Sequence, residues 1–148
     1  MTIISGVGLQ IQLLSSVTFP GGGLILTQFA DDTDPLDLGE LQIGDGASGL
    51  NGDLEVWSKA NPIEITLGII PNSSDDINLG ILFEANRPGK GKIVANDIIT
   101  LTGIYQDGST TTYTGGWCIS YMPGLGVQSS ARFKSKPYKF KFENVTVT

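Results

Sequence analysis

Histidine is absent from all 148 residues, and that omission removes most of the side-chain chemistry by which a domain of this size would act as an enzyme. Ser–His–Asp and Cys–His sites lose their base, and catalytic zinc loses its commonest ligand. The single cysteine, Cys118, falls between Trp117 and Ile119 in an alternating run. There it reads as an inert packing residue, with a reactive thiol as the lesser alternative. The acidic run Asp31, Asp32, Asp34 and Asp37 is the one cluster that resembles a metal site. It has neither the glycine at position six nor the glutamate at position twelve of an EF-hand loop. It therefore reads as a solvated or partner-facing acidic loop, the alternative being a fortuitous divalent cation. Gly21–Gly23 are not followed by the Gly-Lys-Ser/Thr of a phosphate loop, and no dinucleotide fingerprint occurs. Paired carboxylates for glycoside chemistry need a shaped cleft, which no segment locates. The expectation is a protein without catalytic residues, cofactor or metal.

If chemistry is absent, composition and charge must carry the function. Apolar residues make up 40% of the chain and charged ones 16%, below the ~25% of an ordinary soluble domain. Surface positions left to Thr, Ser, Asn, Gly and aliphatic groups can be covered by a partner with little desolvation cost. This favours extensive protein–protein contact, although many secreted β-proteins share the trait. Residues 1–86 hold twelve acids and one base, Lys59, for a formal −11, while residues 87–148 hold three acids and eight bases, for +5. The two halves either neutralise each other within one subunit or meet across subunits. Eight bases offset by so acidic a half do not make a nucleic-acid patch. One cysteine forms no intramolecular disulfide, which excludes a disulfide-rich extracellular module. Met1–Leu14 lacks the basic start of a signal peptide, and no window reaches the length of a membrane span. Synthesis in a cytoplasm as a soluble product is expected.

The elements that must present these surfaces follow a period of two. Leu9, Ile11 and Leu13 alternate with Gln10 and Gln12; Ile63, Ile65, Leu67 and Ile69 with Glu64, Thr66 and Gly68; Tyr138, Phe140 and Phe142 with Lys139, Lys141 and Glu143. Each pattern is a strand with one face on a core and the other wet or covered by a partner. After Glu143 the apolar positions change phase to Val145 and Val147, so the strand bulges near Asn144 or changes the side it presents. Further strands are expected at 23–28, 39–44, 53–58, 98–105 and 110–121. Between the last two, a three-residue Asp107–Gly108–Ser109 loop would pair Ile99 with Trp117 and keep both apolar sets on one face, which a two-residue turn would not.

One helix is expected over 74–86. Ser73 precedes Asp75 and Asp76 in a first turn, and Pro88–Gly89 ends the run. Ile77, Ile81 and Ala85, with Leu82 beside them, would form its inner face. Loops are expected at 19–23, 30–37, 44–52 and 122–130. Segments 30–52 and 122–130 hold few apolar residues and should be poorly ordered in an isolated subunit. The gaps are too short to divide the chain, so residues 1–148 are expected to form a single domain.

From Asn61 to Glu143, a little over half the chain, the order of elements resembles the small tail tube proteins of contractile-tailed bacteriophages. Asn61-Pro62-Ile63-Glu64-Ile65 opens a strand, and the short helix with Asn78 and Leu82 follows. Then come Ile99-Thr100-Leu101-Thr102-Gly103, the Asp107-Gly108 turn and Tyr113-Thr114-Gly115-Gly116. The basic stretch Ala131-Arg132-Phe133-Lys134-Ser135-Lys136-Pro137 leads into Tyr138-Lys139-Phe140-Lys141-Phe142-Glu143. The resemblance implies a mostly β, antiparallel sandwich or barrel-like tail-tube fold with one short flanking α-helix. It implies six copies in a ring, rings stacked into a hollow tube inside the virion, and DNA passing through the lumen without specific binding. Sheath, baseplate and tail-terminator proteins would be the other partners. Residues 1–60 match only loosely, which leaves open a tube-initiator subunit of the baseplate. Two further alternatives are a β-sandwich for receptor binding or capsid decoration, built on exposed aromatics among Trp57, Tyr105, Trp117 and Tyr121, and a hydrolase. The charged residues expected at an assembly interface are Asp31, Asp32, Asp34, Asp37, Arg132, Lys134, Lys136, Lys139 and Lys141.

Overall fold

The computed structural model describes residues 1–148 except Ile3. Where apolar and polar residues alternate, the chain forms strands: β1 (Gln10–Ser15), β2 (Leu24–Leu26), β3 (Leu36–Leu38), β4 (Gly44–Ser48), β5 (Leu54–Ser58) and β6 (Ile63–Ile69). The helix α1 (Ser74–Asn86) follows, then β7 (Ile99–Ile104), β8 (Thr110–Tyr121), β9 (Lys136–Phe142) and β10 (Asn144–Val147). Seven strands hydrogen-bond in the order β2-β1-β7-β8-β9-β6-β3, every pair antiparallel, with β10 beside β8. Beyond β2 the chain crosses to the far end of this path. Phe29 bridges Ile69, Ala30 N–H donates to Gly68 O, and Ile70 N–H donates to Gln28 O. The sheet thus curls almost shut around one core, as a barrel-like fold with one helix.

The β7–β8 hairpin and the end of the chain show how the curl is made. Tyr105 N–H donates to Ser109 O at 3.0 Å, leaving three residues in the loop. An odd-length loop was expected from the phase of the apolar residues, and it is found. The loop centres on Asp107, however, so Leu101 pairs with Tyr113, and beyond a bulge Ile99 faces Gly116 in place of the expected Trp117. In β8 the buried positions switch from Thr111 and Tyr113 to Gly116, with Cys118 half-buried beyond it. The opposite strand switches at the same level, from Phe142 to Val145, where Asn144 pairs with Thr114. Gly115 has φ +68, a conformation that costs glycine least. Both strands therefore turn together, and β8 serves two half-sheets. Its first half lies between β7 and β10, and its second half lies against β9.

At Gly116 a Cβ would stand 2.3 Å from the Phe142 ring and 2.9 Å from Ile99 O. Gly116→Ala should accordingly lower stability by about 1–3 kcal/mol as an overpacking change, read as a lower urea midpoint. A variant with an unchanged midpoint would show that the bend is not held this closely.

The core gathers the inward residues of both half-sheets, among them Ile11, Leu13, Leu67, Leu101, Tyr138 and Phe140. The helix forms where expected, with Ser73 as its cap: Ser73 Oγ accepts Asp76 N–H at 3.2 Å. Of the expected inner face only Leu82 is buried. Leu79, Leu82 and Phe83 are buried, while Ile77 and Ile81 are 58% and 51% exposed. Two aliphatic stripes were available, and the first-turn acids select between them. Asp75 Oδ2 accepts Thr27 and Gln28 N–H at 2.8 Å each, and Asp76 accepts Tyr138 O–H and Asn72 N–H. With both acids tied inward, the residues one and two turns later on that side face the core. Phe83 packs there on Tyr121, Tyr138 and Phe140 at ring-centroid distances of 5.3, 5.1 and 5.1 Å.

The segment between β3 and β6 also departs from expectation. Residues 39–43 are not a strand; β3 pairs with β6, and the glycine-rich stretch expected as a loop forms β4, which pairs with β5. Segment 122–130 is a loop, as expected, with backbone bonds from Gln128 N–H to Arg132 O at 2.7 Å and from Lys134 N–H to Gly126 O at 2.8 Å. Local backbone pairing of this kind needs no side-chain core.

Candidate assembly interface

The hairpin β4–β5 is the feature that most requires a partner. All ten of its residues are exposed, and among the described residues no other strand pairs with it. One face carries Leu54 and Val56, 73% and 72% exposed, opposite Ser48 and Gly46. The other face carries Glu55 and Trp57 opposite Ala47 and Asp45, with Lys59 paired to Asp45 at 3.3 Å. A two-stranded hairpin standing alone in water is marginal at best, and contiguous exposed apolar groups mark interaction surfaces. The alternation of Leu54 and Val56 with Glu55 and Trp57 was legible as a strand. Its glycine-rich partner carried no such signal.

The second feature is a free edge. Among the described residues β10 pairs with β8 on one side only, and all four of its residues are exposed. Val145 and Val147 stand opposite the buried Tyr113 and Thr111 on the core-facing side, yet they are 41% and 74% exposed. An exposed edge that carries partly exposed valines is a template for another strand.

The charged residues singled out in the sequence divide into three groups. Lys136 is 6% exposed; its Nζ lies 3.7 Å from Asp76 Oδ1 and donates to Met122 O at 3.1 Å. It belongs to the interior and is removed from the expected interface, because a buried cation must be paired where it stands. Asp31 pairs with Arg132, Asp32 accepts from Ser135 and Gln128, and Lys139 pairs with Glu64 at 2.9 Å. The Ser135 hydroxyl, outweighing burial, holds the Asp32 carboxyl below the usual range. Acids of the first half thus meet bases of the second within one subunit. Among the described residues, Asp34, Asp37, Lys134 and Lys141 form no ion pair within 4.0 Å.

Two aromatic positions face outward. Trp57 and Trp117 fall in phase with core residues in the sequence, yet they are 48% and 42% exposed. Trp57 sits on the detached hairpin. The switch at Gly115 turns Trp117 and Ile119 outward and Cys118 inward, where burial raises the thiol to about 12. A thiol so hard to ionise is a poor nucleophile. Near it, Glu84 gathers Arg87, Tyr121 and Lys92, and hydrogen bonding, first from Arg87, lowers its carboxyl to about 2. Among the described residues no group of three or more potential metal ligands converges, and no helix is long and apolar enough to cross a membrane.

Comparison with solved structures finds the same fold in contractile machines. The chain matches the sheath/tube terminator of an extracellular contractile injection system (PVC, extended state) with TM-score 0.58 at 12% identity, over 100% of this chain and 98% of that one. It matches a chain of the PVC sheath–tube complex with TM-score 0.59 at 11% identity, over 99% and 92%. A chain of the anti-feeding prophage baseplate gives TM-score 0.60 at 8% identity, over 100% and 97%. At these identities the likeness establishes the fold. No curated protein sequence matches the chain. The family model described as "Tail fiber protein gp32" matches residues 2–146. The chain therefore belongs to the tail fiber protein gp32 family, a structural tail protein built on the fold of contractile-system tubes.

Proposed function

We propose that this chain is the repeating subunit of a contractile tail tube: six copies close a ring, rings stack, and DNA is delivered through the lumen of the assembled virion. The observation that carries the reading is the β4–β5 hairpin, which presents Leu54, Val56 and Trp57 to solvent with no core of its own. Its occupant is a second copy of the chain. A ring of identical subunits offers every copy the same acceptor surface, and it also removes the free edge of β10. Asp34, Asp37, Lys134 and Lys141, together with the exposed pairs Asp31–Arg132 and Glu64–Lys139, supply opposite charges for steering between copies. Sheath, baseplate and terminator proteins are the further partners, and host cytoplasm is the site of synthesis.

The test is assembly. Purified protein examined by negative-stain microscopy should give rings or tubes about one subunit thick in the wall. Replacing residues 43–59 with a short Gly-Ser link should leave a folded monomer with an unchanged far-UV spectrum and no rings. Raising the salt should slow assembly more than it lowers subunit stability, since screening acts on exposed charges. A parent that stays monomeric at high concentration, or a hairpin-less variant that assembles as well as the parent, would refute the proposal. Single rings that never lengthen would assign the chain to the initiator position, a role the fold also accommodates because baseplate chains share it.

A further inference from the structure

The outward face of the half-sheet β2-β1-β7-β8-β10 has a composition unlike the rest of the surface. Register places Ile25, Gln12, Thr102, Thr112 and Thr146 in one row across all five strands. The Thr102 and Thr112 hydroxyls lie 3.4 Å apart in its middle. The neighbouring outward positions are also Thr, Gln, Asn, Leu or Ile. A chain with fifteen acids and nine bases therefore presents an entire sheet face without a formal charge. The outward face of the other half-sheet is the reverse, for Lys139, Lys141, Glu64 and Asp37 stand there in register across β9, β6 and β3.

Resting on the tube reading above, we propose that this threonine- and glutamine-lined face is the wall of the channel, and that its neutrality is what lets DNA slide past it. A polyanion is held by basic groups through counterion release and is repelled by acidic ones. Hydroxyl and amide groups do neither, and they keep the wall wetted. The same half-sheet ends at the free edge of β10, so joining to a neighbouring copy there continues the neutral surface around the ring.

Cysteine labelling of assembled tubes tests the placement. In a Cys118→Ser background, Thr112→Cys and, independently, Thr102→Cys should react with a small maleimide both as free subunits and as tubes. A maleimide on a long polyethylene glycol chain should react with the subunits and be excluded from all but the tube ends. Equal reaction of the large reagent with tubes would put the face outside and overturn the inference while leaving the tube reading intact. Loss of reaction with the small reagent would put the face in a subunit contact, with the same consequence. Failure of the parent chain to assemble would sink both proposals. For neutrality, Thr112→Lys tubes should retain short duplex DNA at least about tenfold better at 50 mM than at 200 mM salt, following counterion release. Parent tubes should retain little at either. Retention by the parent equal to that of Thr112→Lys would overturn the non-adhesive role.

Discussion

Phe140→Ala is expected to lower the stability of the subunit by about 3–5 kcal/mol, the range for truncating a fully buried phenylalanine. Phe140 has no exposed surface and lies edge-on to Phe83 at 5.1 Å. Its strand is held by Ile65 on one side and Cys118 on the other. Because β9 lies between β8 and β6, the backbone there has little freedom to collapse into the void. Against a total of about 5–15 kcal/mol for a typical domain, the loss would leave a large unfolded fraction. Urea unfolding followed by far-UV circular dichroism measures it directly. The neighbouring Lys141→Ala, on the outward face of the same strand, should move the midpoint by no more than about 0.5 kcal/mol. Equal midpoints for Phe140→Ala and the parent would contradict the packing described for β9.

The second large effect lies at Asp97, 1% exposed at the entry to β7. Its carboxylate accepts Val17 N–H at 2.7 Å, Thr18 N–H at 2.8 Å, the Thr18 hydroxyl and Asn86 Nδ2 at 2.8 Å, and Asn86 Oδ1 accepts Asp97 N–H in return. One side chain therefore ties the β1–β2 connection to the end of α1. Asp97→Ala leaves several part-buried donors without their acceptor and should cost about 3 kcal/mol, each donor counted near the lower end of about 1–3 kcal/mol because water can still reach it. Burial alone would raise this carboxyl, but the bonds from Thr18, Asn86 and Val17 outweigh it and hold the group below its ordinary value. A depressed folded-state value means that the unfolded chain takes up the proton first. The stabilisation is therefore present above the ordinary aspartate range and is lost as pH falls through the folded-state value. Asp97→Asn keeps the shape and removes the titration, so its stability should fall less steeply than the parent's in acid. Parallel acid limbs for Asp97→Asn and parent would show that this carboxylate is not what the acid transition senses.

Strands β1, β6, β7, β8 and β9 and the helix were legible because each writes its own signal in local order: period two on a half-buried strand, or a capping serine before paired acids. Strand β4 was not legible. Gly44-Asp45-Gly46-Ala47-Ser48 has no side-chain pattern of its own, and it is a strand only because β5 supplies the hydrogen bonds. The charge pattern was readable as a division between halves. Which acid meets which base depended on folding, which spent Lys136 in the interior and left Lys134 and Lys141 outside.

From residue types alone it followed that the chain has no histidine, that it is mostly β with one helix, and that Tyr138, Phe140 and Phe142 face inward. Those conclusions need only composition and neighbours within a few positions. Tertiary structure decided the rest. The helix rotated to put Ile77 and Ile81 outward, because Asp75 and Asp76 found donors in Thr27 and Gln28, just after β2, and in Tyr138 of β9. Trp117 turned outward and Cys118 inward, because β8 bends at Gly115 opposite Glu143. The neutral threonine face exists only once five strands lie in register, since its members come from positions as distant as Gln12 and Thr146. Rotation, bend and register are each set by contacts between distant segments, and a local pattern compatible with two orientations acquires one only when its partner arrives.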